Sequence, residues 1–141
     1  MVVLIDTNII LDYLLKREPF YNDSYRIIRT CCNQYVDGYI ALHTITTIWY
    51  LLRKTPEEQR RAAMTGICKI LCVVGTTHEE ILNALSNVDF RDFEDCVQMK
   101  CAKTVNADYI ITRNANDFVN SEVPVISPDD FLKLPETIAA E

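Results

Sequence analysis

Five short apolar runs alternate with longer segments of helical character along this chain, and that alternation limits the folds open to it. Apolar runs of this length are typical of strands buried on both faces of a parallel sheet. We predict strands over residues 2–5, 39–42, 71–74, 109–112 and 123–126. Pro124 places the last of these at a sheet edge. The predicted fold class is α/β: a three-layer α/β/α sandwich around a central parallel sheet of four to five strands.

Helix signals fill the intervals between the predicted strands. Apolar spacing predicts helices over 8–15 and 21–34, and an Asp37-Gly38 turn before the second strand. N-cap residues open the later helices: Thr55 in a capping box with Pro56 (ending near Ile70), Thr77, Asp92 (ending near Val105) and Ser127. Residues 44–54 stay ambiguous, because β-branched residues favour a strand while length and apolar spacing favour a helix. Residues 136–141 are expected to fray.

Length and composition are those of one globular domain, which we place at residues 1–141. No apolar run approaches the ~20 residues of a membrane span, and the N-terminus does not resemble a signal peptide, so we expect a cytoplasmic protein. The net charge of −6 argues against holding nucleic acid through bulk positive charge. This charge is still compatible with an enzyme that binds the phosphate groups of its substrate through metal ions.

Six cysteines raise the question of a metal site or disulfides. Cys68 and Cys72 are four residues apart, on one face of a helix end, and a zinc site there is the less favoured alternative. Buried free thiols are the better interpretation, because free cysteine behaves as a small apolar residue. A disulfide framework does not suit a cytoplasmic chain with this much aliphatic core.

Acidic and polar residues follow two of the predicted strands. Asp6-Thr7-Asn8 ends the first strand, Thr112-Arg113-Asn114 ends the fourth with Asp117 one turn later, and the helix before the fourth strand begins with Asp92, Glu94 and Asp95. In open parallel sheets, ligands bind outside the carboxyl ends of the strands, so these acids are predicted to converge. Clustered carboxylates repel one another, and Mg²⁺ or Mn²⁺ is the cation best suited to neutralise them.

Simpler roles stay open for each acid alone. Asp6 and Asp92 are good N-caps, and Asp117 fits a solvated turn. Other nucleotide-binding classes are excluded by missing motifs, since neither G-x-x-x-x-G-K-[ST] nor G-x-G-x-x-G is present. A haloacid-dehalogenase-like phosphatase would carry Asp-x-Asp after the first strand, where this chain has Asn8. A response-regulator receiver would carry an acid after the third strand, where this chain has Val74-Gly75-Thr76.

The chain resembles the PIN-domain ribonucleases, especially the VapC-like toxins of bacterial toxin–antitoxin pairs. The resemblance spans nearly the whole chain and rests on three segments: "LIDTNIILDYLLKREPF", "DFEDCVQMKCAKTVNADYIITRNANDF" and "VPVISPDDFL". It implies a metal-dependent endoribonuclease that hydrolyses RNA phosphodiester bonds with Mg²⁺ or Mn²⁺. It also implies an antitoxin partner and a homodimer.

The resemblance assigns roles to individual residues. The catalytic acids and metal ligands are Asp6, Asp95 and Asp117, with Asn114 where many relatives carry another acid. The supporting residues are Thr7, Asn8, Thr112 and Asp92. From its position beside the site, and not from the resemblance, Arg113 is the best candidate for a contact with RNA, with an ordinary solvated surface charge as the alternative.

One departure from the family pattern concerns the helix after the second strand. Relatives usually carry a Glu there, and the matching position here is about Thr47, which brings no charge. The alternative function is therefore a catalytically weakened PIN-like module that binds RNA or protein. A nuclease directed at DNA is a third hypothesis. Repulsion among the acids predicts that Asp6→Asn stabilises the metal-free fold.

Overall fold

A five-stranded, all-parallel sheet forms the centre of the computed structural model, which describes residues 1–138. The strands are β1 (Val2–Ile5), β2 (Asp37–Ala41), β3 (Cys72–Val74), β4 (Tyr109–Ile111) and β5 (Val125–Ile126). Their spatial order is β3-β2-β1-β4-β5, and every neighbouring pair is parallel. The predicted α/β class and strand number are confirmed.

Helices connect and follow these strands. They are α1 (Thr7–Leu14), α2 (Tyr21–Cys32), α3 (Leu42–Leu51), α4 (Glu57–Ile70), α5 (His78–Ser86), α6 (Phe93–Thr104), α7 (Pro128–Phe131) and α8 (Pro135–Ile138), with a short 3-10 helix over Ala115–Phe118. Side chains of Thr77, Asp92 and Ser127 cap their helices as predicted.

Two hydrophobic cores lie on opposite faces of the sheet. Alternate residues of β1 divide between them, with Val3 and Ile5 packed in one core and Leu4 in the other. The first core is built with α1, α2, α3, α4 and α7, and the second with α5 and α6. Val3, Leu4 and Ile5 are fully buried, which explains why this strand is apolar throughout rather than alternating.

The strand order places a topological switch point between β1 and β4. The chain passes from β1 outward through β2 to β3, and then crosses back to β4 on the other side of β1. Loops at the carboxyl ends of β1 and β4 therefore lead away in different directions and leave a crevice between them. Asp6 and Thr112, which directly follow these two strands, stand at this crevice.

The structure settles or corrects several local predictions. Residues 44–54, ambiguous in sequence, belong mostly to helix α3, which follows β2 without an intervening loop. The predicted capping box at Thr55 is wrong, because α4 has Pro56 at its N-cap position without a side-chain cap. Helix α8 was not predicted. It includes residues expected to fray, and the rest of that segment, 139–141, lies outside the described residues.

The cysteines are free thiols, as predicted, but only part of the set is buried. Cys31, Cys96 and Cys101 are buried, whereas the pair Cys68 and Cys72 is exposed and forms no disulfide. None of the helices described over residues 1–138 is long and apolar enough to cross a membrane.

Candidate active site

Asp6 stands at the centre of the candidate site and joins three elements. Its backbone follows β1 and caps α1, and its carboxylate Oδ1 accepts a 2.7 Å hydrogen bond from the Thr7 backbone N–H. The Gln98 Nε2 of α6 donates to the same oxygen at 2.7 Å, and the Thr112 hydroxyl donates to Oδ2 at 2.7 Å. The Asp6 residue is 5% exposed. Asp6 is thus both a helix cap and a fixed, buried anion.

Thr112 links Asp6 to the segment that carries Asp117. Its hydroxyl, fully buried, donates to Asp6 and accepts a 3.0 Å hydrogen bond from the Asn114 backbone N–H. That bond turns the chain into the 3-10 helix that bears Asp117, which is half-buried. Asn114 itself is exposed. These two contacts place the Thr112 hydroxyl between Asp6 and the segment of Asp117, and the orienting role of Thr112 stays a prediction.

Asp92 and Asp95 lie at the start of α6. The Asp92 side chain accepts hydrogen bonds from the Glu94 and Asp95 backbone N–H groups, at 2.8 and 3.4 Å. Asp92 is therefore the helix cap that its position in sequence allowed. Burial, together with the negative charges of Asp92, Asp6, Asp117 and Glu94, raises the pKa of Asp95 to about 7. Every charge that acts on Asp95 is a carboxylate, which places Asp6, Asp95 and Asp117 in one electrostatic cluster.

Glu94 and His43 belong to this neighbourhood, although neither was among the predicted site residues. Burial and the charges of Asp92 and Asp6 raise the pKa of Glu94. The His43 Nε2 lies 3.7 Å from the Glu94 Oε1. Burial lowers the pKa of His43 despite the opposing effect of Asp6, so the imidazole is mainly neutral at pH 7 and this contact is not an ion pair there.

A threonine pair connects α1 to α3. The Thr7 and Thr44 hydroxyls are 2.9 Å apart and both side chains are buried. Thr47, predicted to stand where relatives usually carry a Glu, is half-buried and donates to the His43 carbonyl at 2.9 Å. Thr44 and Thr47 are three residues apart and share a helix face. Asn8 is half-buried in the first turn of α1.

Arg113 has partners within the protein. Its guanidinium makes a bidentate contact with the fully buried Asp12, with Nε donating to Oδ2 at 2.7 Å and Nη2 to Oδ1 at 3.3 Å. The same group stacks 3.8 Å over the Phe20 ring, and the side chain is 23% exposed. Arg113 therefore holds α1 against the end of β4, and its expected contact with RNA stays a prediction.

Sequence reasoning missed Gln98, Thr44 and His43 for different reasons. Gln98 lies four residues after Glu94 on the same face of α6, a helical spacing that could have placed it beside the acids. Thr44 lies one turn before Thr47 and could have been found in the same way. His43 gives no local signal, because its proximity to Glu94 depends on how α3 packs.

Carboxylate oxygens suit Mg²⁺ or Mn²⁺, and the cluster of negative charge around Asp95 is where such a cation would relieve repulsion. Within residues 1–138, no three acidic, histidine or cysteine side chains come together as a ready-made set of ligands. Water oxygens would therefore complete the coordination sphere, which is how Mg²⁺ is usually held in proteins. The donor chemistry of this site fits a hydrated divalent cation.

Comparisons with known proteins agree with this geometry. The family model described as PIN domain matches residues 2–116. Ribonuclease VapC1 of Aquifex aeolicus (strain VF5) is 24% identical over 140 residues, covering 96% of each chain. VapBC-1 from nontypeable Haemophilus influenzae superposes with a TM-score of 0.68 at 18% identity, over 92% of this chain and 99% of that one.

A second solved structure, VapBC2 from Rickettsia felis bound to a DNA fragment from its promoter, gives a TM-score of 0.67 at 14% identity. It covers 90% of this chain and 98% of that chain. The similarity to these two solved structures is one of fold, namely a five-stranded parallel sheet with flanking helices. With the family model matching most of its length, the chain belongs to the PIN domain family.

Proposed function

We propose that this protein is a metal-dependent endoribonuclease that hydrolyses RNA phosphodiester bonds, and that it is the toxin of a bacterial toxin–antitoxin pair. The observation that carries the proposal is the electrostatic cluster of Asp6, Asp95 and Asp117 at the switch point of a PIN-domain sheet. Similarity to Ribonuclease VapC1 and to VapBC structures supports both the chemistry and the biological setting.

Three acids and one amide share a single role in this proposal, which is to hold the cation. Asp6, Asp95, Asp117 and Asn114 would hold Mg²⁺ or Mn²⁺, directly or through water. Such an ion, when bound, lowers the pKa of a coordinated water and polarises the scissile phosphate. Gln98 and Thr112 fix both oxygens of the Asp6 carboxylate, so that ligand is oriented before any cation arrives.

Asp95 makes the site sensitive to pH. A metal ligand must be deprotonated, and the pKa of Asp95 lies near 7 in the metal-free protein. Metal binding at pH 6 therefore has to displace a proton from Asp95, whereas at pH 8 the carboxylate is already ionised. We expect affinity for Mn²⁺ to rise over this interval.

The alternative function rests on Thr47. Its hydroxyl is occupied by the His43 carbonyl and brings no charge, so the site holds one acid fewer than in most relatives. A weakened PIN-like module that binds RNA or protein would have lost cleavage for this reason. The VapBC structures support an antitoxin as one partner, and we propose a second copy of the chain as the other.

Cleavage of a broad panel of RNAs by the purified protein tests the proposal. We expect Mn²⁺-dependent internal cuts that EDTA abolishes, and a loss of at least 100-fold in rate in Asp117→Asn. The exposed Asp89→Asn removes the same charge outside the cluster and should cut normally. Intact RNA in the presence of Mn²⁺ would favour the weakened module, and cleavage of a matched DNA panel alone would assign the enzyme to DNA.

A further inference from the structure

A cavity opens at the same edge of the sheet as the acidic cluster. It has a volume of about 340 Å³ and lies between the start of α3, the segment after β3, α5 and α6. Its lining is mainly apolar or without a side chain, with Leu42, Gly75, Ile81 and Val97 among the residues. A cavity of this size and character is at the small end of ligand pockets.

His43 joins this cavity to the acidic cluster. It lines the cavity, while its Nε2 lies 3.7 Å from the Glu94 carboxylate, beyond hydrogen-bond distance. That nitrogen is buried, and none of the described residues 1–138 is a hydrogen-bond partner for it. A buried nitrogen without a partner is costly, and a small turn of the imidazole toward the cavity would let a bound group pair with it and relieve the cost. Thr46 and Thr76 are also on the lining. The Thr46 hydroxyl already donates to the His43 carbonyl, so the Thr76 hydroxyl is the second available polar group.

Cavity shape and chemistry favour a flat, uncharged, heteroaromatic group. Apolar walls suit the faces of such a group, and the two polar groups suit its edge. A phosphate is disfavoured, because two carboxylates lie near the lining: that of Glu94 beside His43, and that of Glu80, which acts electrostatically on the cavity residue Cys101. An unpaired nucleobase is flat, uncharged and heteroaromatic, so it meets all three requirements.

We infer that the cavity lined by Leu42, His43, Gly75, Thr76 and Ile81 binds one unstacked nucleobase of the RNA, beside the phosphodiester that the acidic cluster would cut. This inference rests on the proposed function and adds a subsite to it. The base would lie against Leu42 and Ile81, with a hydrogen-bonding edge toward His43. The enzyme would then read single-stranded RNA at one position next to the cut.

Gly75 offers a way to fill the cavity without disturbing the fold. A Cβ at this position would meet only Leu42 atoms, at 3.7 and 4.0 Å, which is ordinary contact. No glycine here has a positive φ, so a side chain brings no backbone strain. Gly66 is a matched control, because a Cβ there meets nothing within 4 Å and the residue lies on exposed α4 surface.

The four free nucleosides are the probes, because they carry a base and no phosphate and need no metal. Titration by NMR in EDTA should shift the Gly75 amide and the His43 ring saturably for at least one nucleoside. The Gly66 amide and the ring of exposed His78 should stay in place. Gly75→Val and His43→Ala should weaken the affinity at least tenfold, whereas Gly66→Val and His78→Ala should keep it. A Gly75 amide that responds to none of the four, or equal affinities in all four variants, overturns the inference.

A cleavage experiment separates this subsite from the proposed activity. Replacing one base next to the mapped cut by an abasic residue should slow the wild type at least tenfold and slow Gly75→Val no further. Nucleoside binding without any RNA cleavage would refute the endoribonuclease and keep the subsite. Metal-dependent cleavage that ignores every neighbouring abasic residue would keep the enzyme and refute the subsite.

Discussion

At the scale of single residues, Asp6 shows how one side chain can be a helix cap and a site residue together. Repulsion alone predicted that Asp6→Asn would stabilise the metal-free fold. Three hydrogen bonds to the carboxylate, from Thr7, Gln98 and Thr112, reverse that expectation. Both carboxylate oxygens of Asp6 accept hydrogen bonds, but an asparagine has only one side-chain oxygen. Its NH₂ group would then face at least one of the buried donors, and that hydrogen bond would be lost.

The first prediction is therefore that Asp6→Asn lowers stability in EDTA by about 2 kcal/mol, the scale of losing a hydrogen bond to a buried charged group. Thermal melting measures it. Asp92→Asn is the matched control, since asparagine caps a helix as well as aspartate and Asp92 is exposed, so this variant should melt at or above wild type. An Asp6→Asn protein as stable as wild type would mean that the hydrogen bonds contribute less than the repulsion.

Asp95 gives a second prediction with a defined pH window. Its pKa is about 7 in the fold against 3.8 for an unperturbed aspartate, so between these values the native state holds a proton that the unfolded chain has lost. Stability of the wild type must then fall as pH rises through this window. Asp95→Asn removes the effect, so its melting temperature should exceed that of wild type by a margin that grows from pH 4 to 7 and is constant above. A margin that is the same at pH 4 and pH 8 would contradict the raised pKa.

At the scale of elements, α3 shows where local sequence is insufficient. Its threonines and isoleucines favour a strand when considered alone, yet residues Leu42–Leu51 form a helix. Burial of Thr44 and Ile48 along one face decides the outcome, and that burial is supplied by other parts of the chain. The neighbouring strand β2 spans Asp37–Ala41, so its predicted end was misplaced by one residue. The turn predicted at Asp37-Gly38 is wrong, because both residues pair with β1 as part of the strand.

Helix α3 also carries the third prediction. Thr47→Glu restores an acid on the face of Thr44, which contacts Thr7 at the site, and should tighten Mn²⁺ binding in calorimetry. Thr46→Glu is an internal control, because Thr46 is exposed and its hydroxyl also donates to the His43 carbonyl, while its side chain lies off the Thr44 face. Equal Mn²⁺ affinities for the two variants would show that α3 does not present residue 47 to the cation.

Helix α1 is fixed to the β4 end of the sheet by the Arg113–Asp12 pair, and a fourth prediction follows from it. Arg113→Met leaves the fully buried Asp12 with only a 3.6 Å contact to Arg17, so unfolding free energy should fall by about 3 kcal/mol, as for other buried pairs that lose one partner. Arg61→Met breaks an exposed pair with Glu57 and should cost much less, because water already solvates both charges. Denaturant titration measures both. A small loss at Arg113 with a large loss of RNA affinity would return this residue to its predicted role in substrate binding.

At the scale of the whole molecule, apolar patterning was sufficient for the fold class but not for the spatial order of the strands. A strand that is buried on both faces has the same apolar sequence pattern whether it lies at the centre of the sheet or one position away from the centre. The local sequence therefore does not show whether β1 or β2 is the central strand. The acids at the ends of β1 and β4 were recognisable because both follow apolar runs directly. Gln98, by contrast, lies 92 residues from Asp6, and only the packing of α6 over the switch point brings the two together.

The fifth prediction concerns the cluster as one binding unit. A cation that binds only the folded state stabilises it by RT ln(1 + [L]/Kd), about 2.7 kcal/mol at 100 times Kd, which is on the order of 10 °C for a domain of this size. We expect Mn²⁺ to raise the melting temperature of wild type and of Asp89→Asn by this increment, and that of Asp117→Asn by much less. Because Asp117 does not share the hydrogen bonds of Asp6, its loss should leave the melting temperature in EDTA nearly unchanged or slightly higher, through reduced repulsion on Asp95. Equal Mn²⁺ increments in all three proteins would mean that the cation binds elsewhere, and the three acids would then be a repulsive cluster without a metal to explain it.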